Sequence, residues 1–183
     1  MISRGIAFEH DPLNGYAEPD KASALHAGGK VPSLILDDGE VLIDSLAILD
    51  HLNEGLPAEA ALIPSSGPER RQTLKIAALA TTVYERCNSP HFDDRRQSGA
   101  VNPAMAEVWR KHTINGMRAL DAYATDGGPL GKEPFDIGTL SAVIAFDYVA
   151  VTHPDIELEA EAPHLTALAQ RLADEPAFAL TRP

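Results

Sequence analysis

The sequence predicts an α+β protein, a small N-terminal α/β part followed by an all-helical remainder, and three observations carry that reading. Ser33 to Ile43 holds two short apolar runs, SLIL and VLI, separated by Asp37-Asp38-Gly39-Glu40, the pattern of a tight β-hairpin. Directly after it, Asp44-Ser45 precedes Ile48, Leu49 and Leu52 at helical spacing, so one of the two caps a short amphipathic helix. Beyond a stretch rich in Pro, Ala, Ser and Gly from Gly55 to Pro68, every long apolar pattern has the helical period.

In chain order, Ile6-Ala7-Phe8-Glu9 reads as a short strand, and His10 to Pro19 as a polar, turn-rich loop. Pro19 to Ala27 can form a short helix, with proline in its first turn and Gly28-Gly29 as its stop. The two hairpin runs are almost wholly apolar, which predicts a sheet covered on both faces. The helical part opens with Glu69 to about Asn88, which carries Leu74, Ala77, Ala78, Thr81 and Tyr84 on one side and Ile76, Leu79, Val83 and Cys87 on another. Two apolar faces predict packing within the domain and against a second surface such as a partner subunit. Ser89 to Val101 reads as a polar interruption, and Asn102 to Tyr123 as a second long helix.

After a loop from Gly127 to Pro134, Phe135-Asp136-Ile137-Gly138-Thr139 opens the most apolar helix, which runs on through Val149. Asp136 is its cap and Phe135 can staple over Leu140. Pro163 to Ala173 and Pro176 to Leu180 close the chain as two further helices. The domains expected are therefore residues 1–55, a linker at 56–67, and an all-helical domain at 68–183.

Composition narrows the function. The 183 residues carry 44% hydrophobic and 23% charged side chains, as an ordinary globular protein does. A formal net charge of −12 disfavours nucleic acid and anionic membrane as partners, since Lys and Arg drive phosphate binding. The single cysteine, Cys87, excludes an internal disulfide and a multi-cysteine zinc site. Neither a membrane-spanning run nor a signal-peptide pattern is seen, so a cytoplasmic location is expected. His10, His91, His112, His153 and His164 show no metal-ligand spacing and no evident carboxylate partner, and no metal is expected.

Lys30-Val31-Pro32, the hairpin, Asp44-Ser45 and the capped helix together resemble the glutathione-binding half of a glutathione transferase of bacterial type, and the resemblance runs from about Gly5 to Pro183. It implies a thioredoxin-like N-terminal domain, here without the family's first strand, catalytic loop and first helix, followed by the family's all-α domain. It implies a cis Val31-Pro32 bond, with Val31 paired main chain to main chain with glutathione. Ser45 would take the γ-glutamyl carboxylate, Asp44 the ammonium, and Lys30 or His26 would face the glycyl end. Glutathione as co-substrate, a small apolar electrophile, a homodimer and a role in detoxification follow from the same resemblance.

In that family a Ser, Tyr or Cys after the first strand touches the glutathione sulfur, and no residue here aligns with it, so the catalytic residue is unknown. Cys87 lies inside a helix as a small buried hydrophobe would, and Ser3 and Tyr16 follow no strand. The expected function is conjugation of the glutathione thiol to small electrophiles. The alternative is a non-catalytic glutathione- or ligand-binding protein of the same fold that has lost its sulfur-activating segment. A third reading is that the natural chain starts further upstream.

Overall fold

The computed structural model describes the backbone of residues 1–15, 17–96 and 102–182, and side chains over the same ranges except 90–96. It divides into two compact units, 1–62 and 63–183.

The first unit begins with a 3-10 turn at Ile2–Arg4, ended by Gly5 in the left-handed region at φ 61°. The strand expected at Ile6 to Glu9 does not form. The Ile6 N–H bonds back to the Met1 carbonyl at 3.2 Å, and no neighbouring strand among the described residues offers them a ladder. Helix α1, Pro19–Leu25, carries proline in its first turn as expected. Strands β1, Ser33–Ile35, and β2, Val41–Ile43, pair antiparallel in the register Ser33 with Ile43, Leu34 with Leu42 and Ile35 with Val41. The turn closes through Leu36 N–H to the Glu40 carbonyl at 2.9 Å, with Gly39 at φ 89°, a conformation that glycine adopts without strain. Helix α2, Ser45–Glu54, follows at once.

The hairpin is not covered on both faces. Ile35 is 57% and Ile43 41% exposed, because the sheet among the described residues has only these two strands and nothing seen stands over their outer side. Arg4 ties the two ends of the unit together, donating from Nε to the Ala60 carbonyl at 2.7 Å.

The second unit is a helical assembly. Helix α3 runs from Gly67 to Arg96, so the polar stretch after Asn88 continues the helix for two turns instead of interrupting it; the rest of that stretch, 97–101, lies outside the described residues. It packs on α4, Pro103–Asp121, and on α5, Ile137–Thr152. Thr73, Ile76, Ala77, Ala80, Val83 and Cys87 form its buried face, while Leu74, Ala78, Thr81 and Tyr84 stay half or fully exposed. Gly116 of α4 lets the two helices approach closely, since a Cβ there would stand 2.3 Å from Val83 Cγ2. The core runs on through Met117, Leu120, Val143, Phe146, Val149, Leu165 and Phe178.

Helix α5 is the central element, buried on most sides. Its cap is Asp136, whose Oδ1 accepts from the Thr139 N–H at 2.9 Å and whose Oδ2 accepts from the buried Thr73 hydroxyl at 2.6 Å. Thr139 Oγ1 accepts in turn from the Gly131 N–H at 3.1 Å, so Thr139 ties the preceding loop to the helix. Short helices α6, Leu158–Glu161, α7, Pro163–Arg171, and α8, Pro176–Ala179, finish the unit, and α6 lacked a readable period. No helix among the described residues is long and apolar enough to cross a membrane.

Candidate functional site

The loop between α1 and β1 is held by its own histidine. His26, the C-cap of α1, accepts the Gly28 N–H on Nδ1 at 3.1 Å. Its Nε2 lies against the Lys30 peptide, 2.8 Å from the carbonyl and 3.0 Å from the nitrogen. With Nδ1 already an acceptor, the neutral ring carries its proton on Nε2 and donates to the carbonyl. Ser33 Oγ donates to the same carbonyl at 3.1 Å, so two side chains fix the backbone just before Val31. The Val31-Pro32 bond is cis, and Val31 is 41% exposed. His26 is therefore engaged with the main chain of Lys30.

Asp44 and Ser45 stand at the start of α2. Asp44 Oδ1 accepts the Leu46 N–H at 3.0 Å, which settles which of the two is the cap, and Oδ2 accepts from Lys30 Nζ at 2.7 Å. The Lys30 hydrogen bond and then the Leu46 N–H hold the Asp44 carboxyl below the usual carboxylate range. Asp44 has φ 73° and is the one non-glycine at positive φ among the described residues. Such a backbone costs of order 1–3 kcal/mol and persists where function needs it. The Lys30–Asp44 ion pair is open to solvent on both sides, 63% and 46%, so it adds little to stability. Ser45 is exposed beside it.

The six predicted residues thus fall in one short segment pair, 26–32 and 44–45, and five of them are linked: His26 holds the Lys30 peptide, Lys30 reaches Asp44, and Val31-Pro32 follows Lys30. The arrangement offers an ionised carboxylate, an ammonium, a hydroxyl, an exposed main-chain segment and a helix N-terminus. A zwitterionic peptide needs those groups. Spacing did not reveal the Lys30–Asp44 pair or the positive φ of Asp44, because both depend on how the hairpin returns α2 to the loop.

The other candidates are accounted for. Cys87 is 1% exposed; its Sγ lies 2.9 Å from Thr152 Oγ1, and burial pushes its thiol up, which keeps it protonated and inert. Ser3 sits in the N-terminal 3-10 turn, and Tyr16 and the His91 side chain lie outside the described residues. His164 does have a carboxylate partner, contrary to expectation: Nδ1 is 2.9 Å from Asp121 Oδ2, while Asp121 Oδ1 accepts the Leu165 N–H at 2.8 Å. Forty-three residues separate that pair, so local spacing could not show it. No group of three metal-ligating side chains occurs among the described residues.

Comparison with known proteins agrees with the fold. Residues 2–61 match the family model described as glutathione S-transferase, N-terminal domain. Across the whole chain the sequence is 29% identical to a maleylacetoacetate isomerase of Pseudomonas aeruginosa, covering 87% of that protein. A glutathione transferase family member from Pseudomonas fluorescens Pf-5, solved with bound glutathione, superposes with a TM-score of 0.82 at 28% identity over 97% of this chain and 85% of that one. A glutathione S-transferase from Methylobacillus flagellatus KT with GSH bound gives a TM-score of 0.87 at 23% identity, covering 99% of this chain and 89% of that one, a likeness of fold. The thioredoxin-like N-terminal domain with a short two-stranded sheet, followed by a mostly helical domain, is the glutathione transferase arrangement.

Proposed function

We propose that this chain, glutathione transferase-like in its N-terminal sequence and in its fold, binds glutathione through Lys30, Val31, Pro32, Asp44 and Ser45, with His26 bracing the loop, and conjugates the bound thiol to small apolar electrophiles. The observation that carries the reading is Asp44: strained at φ 73°, charged, half-exposed, and set with Ser45 at the start of α2. In it the peptide's ammonium joins Lys30 Nζ on the Asp44 carboxylate, which has lone pairs for both. The γ-glutamyl carboxylate takes the Ser45 hydroxyl and N–H with the favourable pole of the helix. The exposed Val31 main chain takes the cysteinyl peptide. Calorimetric titration with glutathione is the test. Asp44→Ala and Ser45→Ala are each expected to weaken binding about tenfold or more, and unchanged affinity in both would remove the site.

A second reading is favoured by one observation: the only thiol, Cys87, is buried against Thr152. In it the protein binds glutathione without activating it. The two readings separate on the thiolate absorbance of bound glutathione. A free thiol of pKa about 8.5 is roughly 3% ionised at pH 7, and one lowered to ~6.5 is roughly 75% ionised. Conjugation expects the second figure and simple binding the first. A cytoplasmic setting, a detoxifying role and a homodimer belong to the proposal. The half-exposed stripe Leu74, Ala78, Thr81 and Tyr84 on α3 supports the dimer, for which light scattering should give about twice 19.6 kDa.

A further inference from the structure

We infer that the helical domain carries a separate recess for a small organic monocarboxylate, where α3, α4 and the C-terminal end of α5 meet. The recess holds about 360 Å3, in the range of small-molecule sites. Pro103, Ala106, Glu107, Arg110 and Thr113 line it from one face of α4, as their three- and four-residue spacing requires, with Arg86 from α3 and His153 from the C-cap of α5.

Its charge runs against that of the protein. On a chain of net charge −12 the lining sets two guanidinium groups against one carboxylate. Arg110 uses part of its fork on Asp155, with Nη2 2.9 Å from Oδ2 and 3.3 Å from the carbonyl, and a guanidinium has further donors to spare. Arg86 is exposed and has no ion-pair partner among the described residues. His153 Nε2 lies 3.1 Å from the Cys87 carbonyl, which can only accept, so that nitrogen carries the proton. Nδ1 is then left without a partner among the described residues, an acceptor for a hydroxyl or N–H donor on the body of the ligand, while the carboxylate goes to the arginines.

The remaining wall is apolar. The Thr113 hydroxyl is spent on the Trp109 carbonyl at 3.0 Å, and Pro103 and Ala106 offer only carbon. A carboxylate matches the planar fork of arginine, and an apolar body matches that wall. Glu107 on the same wall would repel a second carboxylate, which is why the ligand is a monoacid. The recess lies wholly within residues 63–183, so the inference does not rest on the glutathione reading.

The test uses the full chain and benzoate, with neutral benzamide as its isostere, by calorimetry in the presence of saturating glutathione. Benzoate should bind, with benzamide at least tenfold weaker. Arg86→Gln should weaken benzoate about tenfold and leave glutathione affinity unchanged, while Lys132→Gln changes neither. Arg110→Gln should weaken it as well, but it also frees Asp155, so Arg86→Gln decides. Equal binding of benzoate and benzamide, no benzoate binding up to about 10 mM, or full affinity in Arg86→Gln would each overturn the inference.

Discussion

At the scale of single residues, Asp44 combines a backbone penalty, a cap and a charge that can be separated by substitution. Asp44→Gly relieves a strain of about 1–3 kcal/mol, loses a few tenths on the cap and adds roughly 0.5–1 kcal/mol of unfolded-state entropy. Asp44→Ala keeps the strain and loses the cap, about 1 kcal/mol. The expected order of melting temperature is therefore Gly at or above wild type and Ala below it, with glutathione affinity reduced in both. An alanine variant as stable as the glycine variant would mean that the φ of 73° stores nothing.

Asp147 on α5 shows the opposite electrostatics. Burial pushes its carboxyl up, against a smaller opposing effect of Arg182. A carboxyl whose folded pKa is raised contributes its stability below the unfolded value of ~3.9 and loses it as pH rises through the folded value. At neutral pH the ionised, half-buried group opposes folding. Asp147→Asn should raise the melting temperature at pH 7, and the gain should shrink as pH falls towards ~4; a gain independent of pH would point to packing instead.

At the scale of elements, α3 and α4 meet at Gly116 and Val83. A methyl group at 116 would overlap Val83 Cγ2. Valine is confined to one rotamer in a helix and cannot swing away. Overpacking of about 1–3 kcal/mol therefore outweighs the ~1 kcal/mol that alanine gains over glycine in helix propensity. Gly116→Ala should lower the melting temperature, and adding Val83→Ala should recover part of the loss. If Gly116→Ala is instead stabilising, the helices do not approach as closely as the structure has them.

The same elements show what the sequence made legible. The hairpin, α2, α4 and α5 were readable because turn residues, caps and apolar period agree locally. Asp136 capped α5 as expected, but its second bond, to Thr73 across 63 residues, is a tertiary fact that no window contains. The strand expected at Ile6 to Glu9 failed for a related reason: β propensity describes a half-buried surface, and here no neighbour supplies one. The polar end of α3 was misread because a solvated helical face and a loop have the same composition. At the site, residue types and order were legible, while the Lys30–Asp44 bond and the backbone of Asp44 emerged only with the fold.

At the scale of the whole molecule, burial is distributed unevenly. Among the described residues, Ala22 and Leu62 are the only fully buried apolar side chains in unit 1–62, and all the rest, from Ile63 to Phe178, lie in the helical unit. Burying one leucine is worth about 1.5–3 kcal/mol, whereas fixing each residue's backbone costs roughly 1–2 kcal/mol. The N-terminal unit is therefore the weakly held one, and its amides in β1, β2 and α2 should exchange faster than those of α5. A ligand that binds only the folded form stabilises it by RT ln(1 + [L]/Kd), about 2.7 kcal/mol at a hundredfold excess over Kd, or roughly a hundredfold slower exchange. Saturating glutathione should slow β1, β2 and α2 by up to that factor and leave α5 nearly unchanged, because the added stability reaches only openings that destroy the site. Equal slowing in α5 would mean that the two units open together, and no slowing in the N-terminal unit would remove the glutathione site at residues 26–45.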